Sequence, residues 1–204
     1  MSTQPSLVHR FEPSTDTARP PLLLLHGTGG DEADLLPLGA MVAPGAALLS
    51  PRGAVLENGM PRFFRRLAEG VFDEDDLRRR TDDLAGFIRW AQAEYGIAAP
   101  IALGFSNGAN IAASLLLRHP GLVRGAVLLR AMAPFREAPA ARLDGTSVLM
   151  LSGTADPIVP EENSKRLAAL LAADGATVRH HELPAGHGLS QLDVTLTREW
   201  IAGL

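Results

Sequence analysis

The sequence Gly104-Phe105-Ser106-Asn107-Gly108 constrains the fold of this chain more than any other segment. It follows a short apolar run at residues 101–103, which predicts a strand, and precedes a helix-forming segment at residues 109–117. A G-x-S-x-G sequence in that context is typical of a sharp turn that holds its serine strained and exposed above a sheet. Glycine is needed at both ends because a side chain there would collide where the strand and the helix approach each other. A structural turn without chemistry is the alternative.

Short apolar runs alternate with helix-like segments along most of the chain. The runs occupy residues 22–25, 46–49, 101–103, 126–129, 148–151 and 177–182. Most are continuously apolar, as expected for strands buried on both faces of a parallel sheet. We therefore predict an α/β fold of about seven mostly parallel strands with helices on both faces. We expect a single domain over residues 1–204 without a large lid, in which residues 1–20 form an edge strand and a flexible N-terminus.

The clearest helical pattern places Leu84, Phe87, Ile88, Ala91 and Tyr95 on one apolar stripe. We expect this helix to begin at an N-cap on Thr81, before two aspartates that favour the positive end of the helix dipole. Gly96 is expected to end it.

Composition excludes several classes of function. The 204 residues carry a net charge of −4, which lacks the clustered basic face that nucleic-acid binding requires. The absence of cysteine excludes disulfides, thiolate metal sites and a cysteine nucleophile. We see no signal-peptide pattern and no apolar run near the roughly 18 residues that span a bilayer. We therefore expect a cytoplasmic protein without membrane insertion, and a homodimer is compatible with the sequence.

A serine nucleophile requires a base and a third group that orients the base. In this fold the chain order is serine, then an acid, then histidine. Asp156 follows the run at residues 148–151 and precedes Pro157, although a loop aspartate there could simply start a turn. His187 lies between Gly186 and Gly188, after the run at residues 177–182. We predict that Ser106, Asp156 and His187 form a catalytic triad.

The other histidines suggest a metal site less well. His180 and His181 are adjacent in a predicted strand, so their side chains point to opposite faces and do not converge on one ion. A site built from these two residues with Glu182 and His187 is the weaker alternative. We expect no metal and no cofactor.

Acyl transfer also requires donors for a developing oxyanion. We predict the backbone N–H of Asn107, directly after the serine, and that of Thr28 in the turn His26-Gly27-Thr28-Gly29-Gly30. A phosphate-binding loop is disfavoured at this turn, because the Walker lysine is missing and Lys165 is the only lysine in the chain.

These motifs, with residues 153–160 and Gly186-His187-Gly188, resemble the bacterial phospholipase/carboxylesterase family of α/β-hydrolases. That family is related to acyl-protein thioesterases and more distantly to dienelactone hydrolases, and the likeness runs from about residue 22 to residue 200. The resemblance implies the same triad and oxyanion donors. Asn107 stands where the thioesterase branch commonly has glutamine, and residues 58–66 lack that branch's tryptophan motif. The chain is more similar to a subgroup linked to the breakdown of aromatic or quinone-type compounds.

The sequence offers two candidate walls for a substrate pocket. Met60, Phe63 and Phe64 follow the run at residues 46–49, where they could line an apolar pocket or form a satellite core. Arg130 and Met132 follow the run at residues 126–129. Arg130 could meet an anionic substrate group or form a structural ion pair.

We therefore expect a serine carboxylesterase that acts on a small-molecule ester. Acyl thioesterase and lysophospholipase activities are the alternatives within the enzyme class. A ligand-binding sensor that uses a hydrolase pocket without turnover is the alternative outside it.

Overall fold

The computed structural model describes residues 7–204, and a seven-stranded sheet is its centre. The expected flexible N-terminus lies partly at residues 1–6, outside the described residues. The strands of the central sheet, in chain order, are β1 (His9–Glu12), β2 (Leu22–Leu25), β3 (Leu48–Pro51), β8 (Ile101–Phe105), β9 (Gly125–Leu129), β10 (Ser147–Gly153) and β11 (Thr177–Leu183). The helices are α1 (Leu36–Val42), α2 (Glu74–Tyr95), α3 (Asn107–Arg118), α4 (Glu161–Ala173) and α5 (Gln191–Ala202). Four short strands, β4 (Val55–Glu57), β5 (Met60–Arg62), β6 (Arg66–Ala68) and β7 (Val71–Phe72), lie outside the central sheet.

The strand order β1-β3-β2-β8-β9-β10-β11 confirms the predicted architecture. Strand β1 pairs antiparallel with β3 at the edge, where an edge strand was expected, and the other pairings are parallel. The chain proceeds from β2 outwards to β3 and later returns to place β8 on the other side of β2. Such a reversal opens a crevice at the carboxyl ends of the strands, where open α/β sheets bind ligands.

Helices cover both faces of the sheet, and residues along β2 alternate between the two resulting cores. Leu23 and Leu25 pack into a core with α2, α3 and α4. Leu22 and Leu24 pack into a second core with α1 and α5. Because β2 is apolar on both faces, it is buried between these two helix layers, as its continuous run of leucines indicated.

Helix α2 begins earlier than predicted. Its N-cap is Asp73, whose side chain accepts a hydrogen bond from the N–H of Asp76 at 3.0 Å. The prediction of an N-cap on Thr81 is wrong, because this residue lies about two turns inside the helix. Its hydroxyl bonds the carbonyl of Leu77 and the hydroxyl of Ser114 instead. Gly96 ends the helix as predicted, with a φ of 64°.

Two hairpins lie between β3 and α2. In the first, β4 and β5 pair antiparallel around Asn58 and Gly59, whose φ angles are 52° and 81°. Two consecutive positive φ angles and an Asn-Gly sequence are typical of a tight hairpin turn. The second hairpin joins β6 to β7. Both lie at the carboxyl ends of the parallel strands and form one wall of the crevice.

Candidate active site

Ser106 occupies the turn between β8 and α3 in a conformation that non-glycine residues rarely adopt. Its φ and ψ are 52° and −114°, a strained geometry that the surrounding structure must stabilise. A Cβ added at Gly104 would lie 2.5 Å from the carbonyl oxygen of Gly108. A Cβ added at Gly108 would lie 1.9 Å from the carbonyl oxygen of Leu25. Both glycines are therefore required by close backbone approach, as the motif predicted.

The structure brings together the three residues of the predicted triad. The Oγ of Ser106 lies 2.9 Å from the Nε2 of His187, and the Nδ1 of His187 lies 2.8 Å from the Oδ2 of Asp156. The Asp156 side chain is fully buried, and its Oδ1 accepts hydrogen bonds from the N–H groups of Ile158 and Val159. With a proton on Nδ1 directed at Asp156, the Nε2 atom is free to accept the proton of the serine.

Backbone contacts hold the loop of Asp156 against the loop of His187. The N–H of Thr154 donates to the carbonyl of Leu183 at 2.8 Å, and that of Ala155 donates to the carbonyl of Ala185 at 3.0 Å. A Cβ added at Gly153 would lie 2.4 Å from the latter oxygen. The approach of the two loops, and with it the acid–base contact, therefore depends on glycine at this position.

Arg130 holds the other side of the histidine loop. Its side chain is fully buried and ion-paired with Asp193, with nitrogen–oxygen distances of 2.7 and 2.9 Å. The guanidinium also donates to the carbonyls of Gly186, Gly188 and Leu151, at 2.9, 3.0 and 3.1 Å. All five of its N–H donors are used, so the alternative of a structural ion pair describes Arg130, although its side chain borders the cavity.

The turn that carries Thr28 is fixed by His26. The Nε2 of this buried imidazole accepts a hydrogen bond from the N–H of Gly53 at 3.0 Å, while its Nδ1 donates to the carbonyl of Gly27 at 2.6 Å. Burial lowers the pKa of His26 from its usual value, which keeps the ring neutral and able to accept. Within residues 7–204, the N–H groups of Thr28 and Asn107 have no protein acceptor. Both residues border the same cavity as Ser106, so these two N–H groups are available to an oxyanion.

The cavity beside Ser106 has a volume of about 320 Å³. Its lining residues are Thr28, Arg62, Arg66, Glu69, Gly70, Phe72, Phe105, Ser106, Asn107, Asn110, Arg130, Met132, Ile158, Val159 and His187.

Two of the five predicted substrate residues line this cavity, and three do not. Arg130 and Met132 border it. Phe63 and Phe64 lie in the main hydrophobic core, so the core alternative describes them. Met60 is 41% exposed, and its side chain packs beside the turn at Gly29 rather than in the cavity.

Sequence reasoning missed Arg62 and Asn110 as cavity residues. An arginine and an asparagine are usually exposed, and no periodic pattern marked these two as buried at 3% and 5% exposure. The role of Asp193 was also missed, although the sequence contained a signal for it. Ser190 and Asp193 have the spacing of a capping box before α5, and both the N–H and the hydroxyl of the serine donate to the carboxylate.

The histidines of β11 belong to no cluster of ligand-type side chains among residues 7–204. His180 bonds the hydroxyl of Ser152 at 2.9 Å. In the part of the chain that the structure describes, no group of three or more histidine, aspartate or glutamate side chains converges as metal ligands.

The helices of residues 7–204 include none with the length and continuous apolar character of a membrane span.

Comparison with known proteins finds similar sequences and structures. A family model described as the alpha/beta hydrolase fold matches residues 50–145. MhqD of Bacillus subtilis (strain 168), which carries the name of a hydrolase, is 47% identical over 181 residues that cover 88% of this chain and 90% of the relative. The crystal structure of a Bacillus cereus carboxylesterase has 48% sequence identity and a TM-score of 0.95. The match covers 97% of this chain and 94% of the carboxylesterase chain. A structure of YahD with malic acid has 30% sequence identity and a TM-score of 0.91. The match covers 97% of this chain and 98% of the YahD chain.

Proposed function

Because the chain belongs to the α/β-hydrolase family and is a hydrolase, we propose that it is a serine carboxylesterase that acts through an acyl-enzyme on Ser106. The observation that carries the proposal is the hydrogen-bonded chain from Ser106 through His187 to Asp156. The likeness to the Bacillus cereus carboxylesterase supports the ester as the bond that is cleaved.

In the first half of the reaction, the Oγ of Ser106 attacks the ester carbonyl carbon while the Nε2 of His187 takes the hydroxyl proton. Asp156 is buried and acceptor-only, so it stabilises the imidazolium and holds the ring in one orientation. The N–H groups of Thr28 and Asn107 stabilise the oxyanion. Collapse of this intermediate breaks the bond to the alcohol oxygen, which leaves with the proton from His187.

In the second half, water attacks the acyl-enzyme by the same route. His187 takes one proton of the water and returns it to the Oγ of Ser106, and the carboxylic acid product is released. The strained position of Ser106 above the sheet supports this role, because it presents the Oγ to the cavity beside the donors.

The size of the cavity favours small acyl groups. A volume of about 320 Å³ is near the lower end of the range for ligand pockets, which is about 300–1,000 Å³. Long-chain lysophospholipids and acyl thioesters would extend beyond it. We therefore expect the highest rates on esters with short acyl chains.

The test is the initial rate on 4-nitrophenyl esters of increasing acyl length, with Ser106→Ala measured in parallel. We expect the rate to peak at short chains and to fall by about 10⁴-fold or more in the variant, as for loss of a triad nucleophile. His187→Gln should fall comparably, whereas His181→Gln, which changes an exposed histidine on β11, serves as the matched control. Retained turnover in a folded Ser106→Ala preparation would contradict the proposal, and a long-chain optimum would favour lysophospholipase or thioesterase activity.

A further inference from the structure

Arg62 is a buried arginine that faces the proposed catalytic cavity. It lies at the end of β5, and the β4–β5 hairpin is held against the oxyanion turn by a hydrogen bond from the N–H of Gly29 to the carbonyl of Pro61. The side chain is 3% exposed and borders the cavity that contains Ser106. A guanidinium is always charged in proteins, so burial here places a positive charge in a poorly solvated position.

The protein satisfies only part of this guanidinium. The Nε of Arg62 donates to the carbonyl of Phe64 at 3.2 Å and lies 3.1 Å from the Oε2 of Glu57, while Nη1 donates to the Oγ1 of Thr28 at 2.6 Å. The Nη2 atom has no protein partner among residues 7–204 and is not sealed from solvent. Because Arg62 borders the cavity, its unused donors are available to a bound molecule.

The charge around Arg62 is not balanced. Glu57 is shared between two guanidinium groups, because its Oε1 also lies 2.8 Å from the Nη2 of Arg66. Arg66 borders the same cavity, so this cluster presents two positive charges against one negative charge. Glu69 also borders the cavity, but it is exposed at the rim, where water and salt screen its charge. The buried charge of this cluster is therefore positive, because the side chain of Arg62 is 3% exposed whereas those of Glu57 and Arg66 are each 28% exposed.

Apart from the exposed carboxylate of Glu69, the other unused polar groups at the cavity are also donors. The Oδ1 of Asn110 accepts the N–H of Met132 at 2.8 Å, and the Oδ1 of Asn107 accepts the N–H of Phe63 at 2.7 Å. These bonds fix the orientation of each amide, so each side chain is left with an NH₂ group that has no partner within the described residues. The Nδ2 of Asn107 is fully buried in this state. A ligand that suits the cavity must therefore supply acceptors.

We propose that the substrate carries a free carboxylate in addition to its scissile ester, and that Arg62 binds this carboxylate with the amide of Asn110. A carboxylate supplies a negative charge and several lone pairs on two oxygens, which is what the unpaired donors lack. This inference rests on the proposed function, since it concerns the substrate of the same site.

The test compares two pairs of esters with purified wild-type protein. The first pair differs on the acyl side, 4-nitrophenyl hydrogen glutarate against 4-nitrophenyl hexanoate. The second differs on the alcohol side, 4-acetoxybenzoate against 4-acetoxybenzamide. After subtraction of the uncatalysed rate, we expect kcat/KM to be at least about tenfold higher for the carboxylate in one pair, mainly through a lower KM, as expected for a charge-assisted hydrogen bond.

Two variants assign the preference to these side chains. Arg62→Gln should abolish the ratio within the responsive pair. Asn110→Asp keeps an oxygen for the N–H of Met132 but replaces the donor by a negative charge, so the ratio should fall below one. Arg65→Gln is the matched control, because Arg65 is 59% exposed, pairs with Asp73 and does not border the cavity. If Arg62→Gln does not fold, as judged by circular dichroism, the ratio measured with Asn110→Asp tests the inference.

The outcomes separate the two proposals. Equal kcat/KM within both pairs, or a ratio that survives both variants, overturns the carboxylate inference and leaves the esterase function in place. Failure of wild-type protein to hydrolyse any of the four esters above the rate of Ser106→Ala overturns the esterase function, and the inference falls with it.

Discussion

Arg130 and Arg62 are both buried beside the same cavity, but their surroundings differ in one respect. Every N–H donor of Arg130 meets an acceptor of the protein, and its charge is matched by Asp193, which is equally buried. Arg62 shares its counter-ion with Arg66 and keeps an unused Nη2. Burial alone therefore does not distinguish a structural arginine from one that is available to a ligand; the count of unused donors does.

The two arginines also belong to different parts of the molecule. Arg130 links β9 to the loop of His187 and to α5, all within the framework of the central sheet. Arg62 belongs to a small hairpin outside that sheet, and Glu57, its counter-ion, is 28% exposed. We expect the first region to control stability and the position of the histidine, and the second to control which substrates are bound.

The largest expected difference between the two regions is in stability. Arg130→Met leaves Asp193 buried without a counter-ion and should lower the free energy of unfolding by about 3–5 kcal/mol. Arg62→Met should cost about 1–2 kcal/mol, because Glu57 remains paired with Arg66 and accessible to water. Urea unfolding of both variants measures the difference. Equal losses would mean that the distinction drawn from their donors is wrong.

A double variant separates stability from positioning. Arg130→Met with Asp193→Leu removes both buried charges and should recover part of the lost stability. The carbonyls of Gly186 and Gly188 still lack their donor, so His187 should be less well placed. We expect kcat to fall about 100-fold with little change in KM, since small misplacements of catalytic groups act on the transition state. Steady-state kinetics on a short-chain ester provides the measurement, and a wild-type kcat in the double variant would exclude Arg130 as a positioning residue.

The smallest expected effect is a pH dependence on the Arg62 side. Burial lowers the pKa of His26 below its usual value of 6.5, so the unfolded chain takes up a proton there before the folded protein does. Folding stability linked to His26 is therefore present above about pH 6.5 and is lost as the pH falls through that value towards the folded pKa. Burial also lowers the pKa of His180, so His180 adds to the same pH dependence of stability.

The variant His26→Gln tests this effect, because it removes the titrating group while keeping a potential acceptor for the N–H of Gly53. Urea midpoints measured from pH 7.5 to pH 5 should decline less in the variant than in wild type. An identical decline in both would show that other groups account for the pH dependence.

Local sequence was sufficient to predict the three residues of the proposed triad. Ser106 and Asp156 each follow a short apolar run, and His187 follows the strand-like segment at residues 177–182. Each also has a glycine or proline within two residues, so strand ends and their loops were readable without tertiary contacts. The edge strand and the end of α2 at Gly96 were predicted for the same reason. The β4–β5 hairpin was not predicted, because only its Asn-Gly turn carries a local signal and the segments around it lack the continuous apolar character of the main strands.

The positions that the sequence left undecided or predicted wrongly depend on packing between distant segments. Phe63 and Phe64 are apolar, which suits either a pocket or a core, and only the docking of the hairpins placed them in the core. Thr81 has the chemistry of an N-cap, but the salt bridges and cap of the preceding turn extend α2 back to Asp73.

The sequence by itself determined the α/β architecture and the order of the serine, the acid and the histidine along the chain. These depend on periodicity and turn chemistry, which act over a few neighbouring residues. Only the tertiary structure decided that all N–H donors of Arg130 are bonded within the protein, whereas Arg62 keeps unused donors at the cavity. That distinction depends on acceptors supplied by segments far away in sequence, such as Asp193 for Arg130 and Thr28 for Arg62, and no local pattern records them.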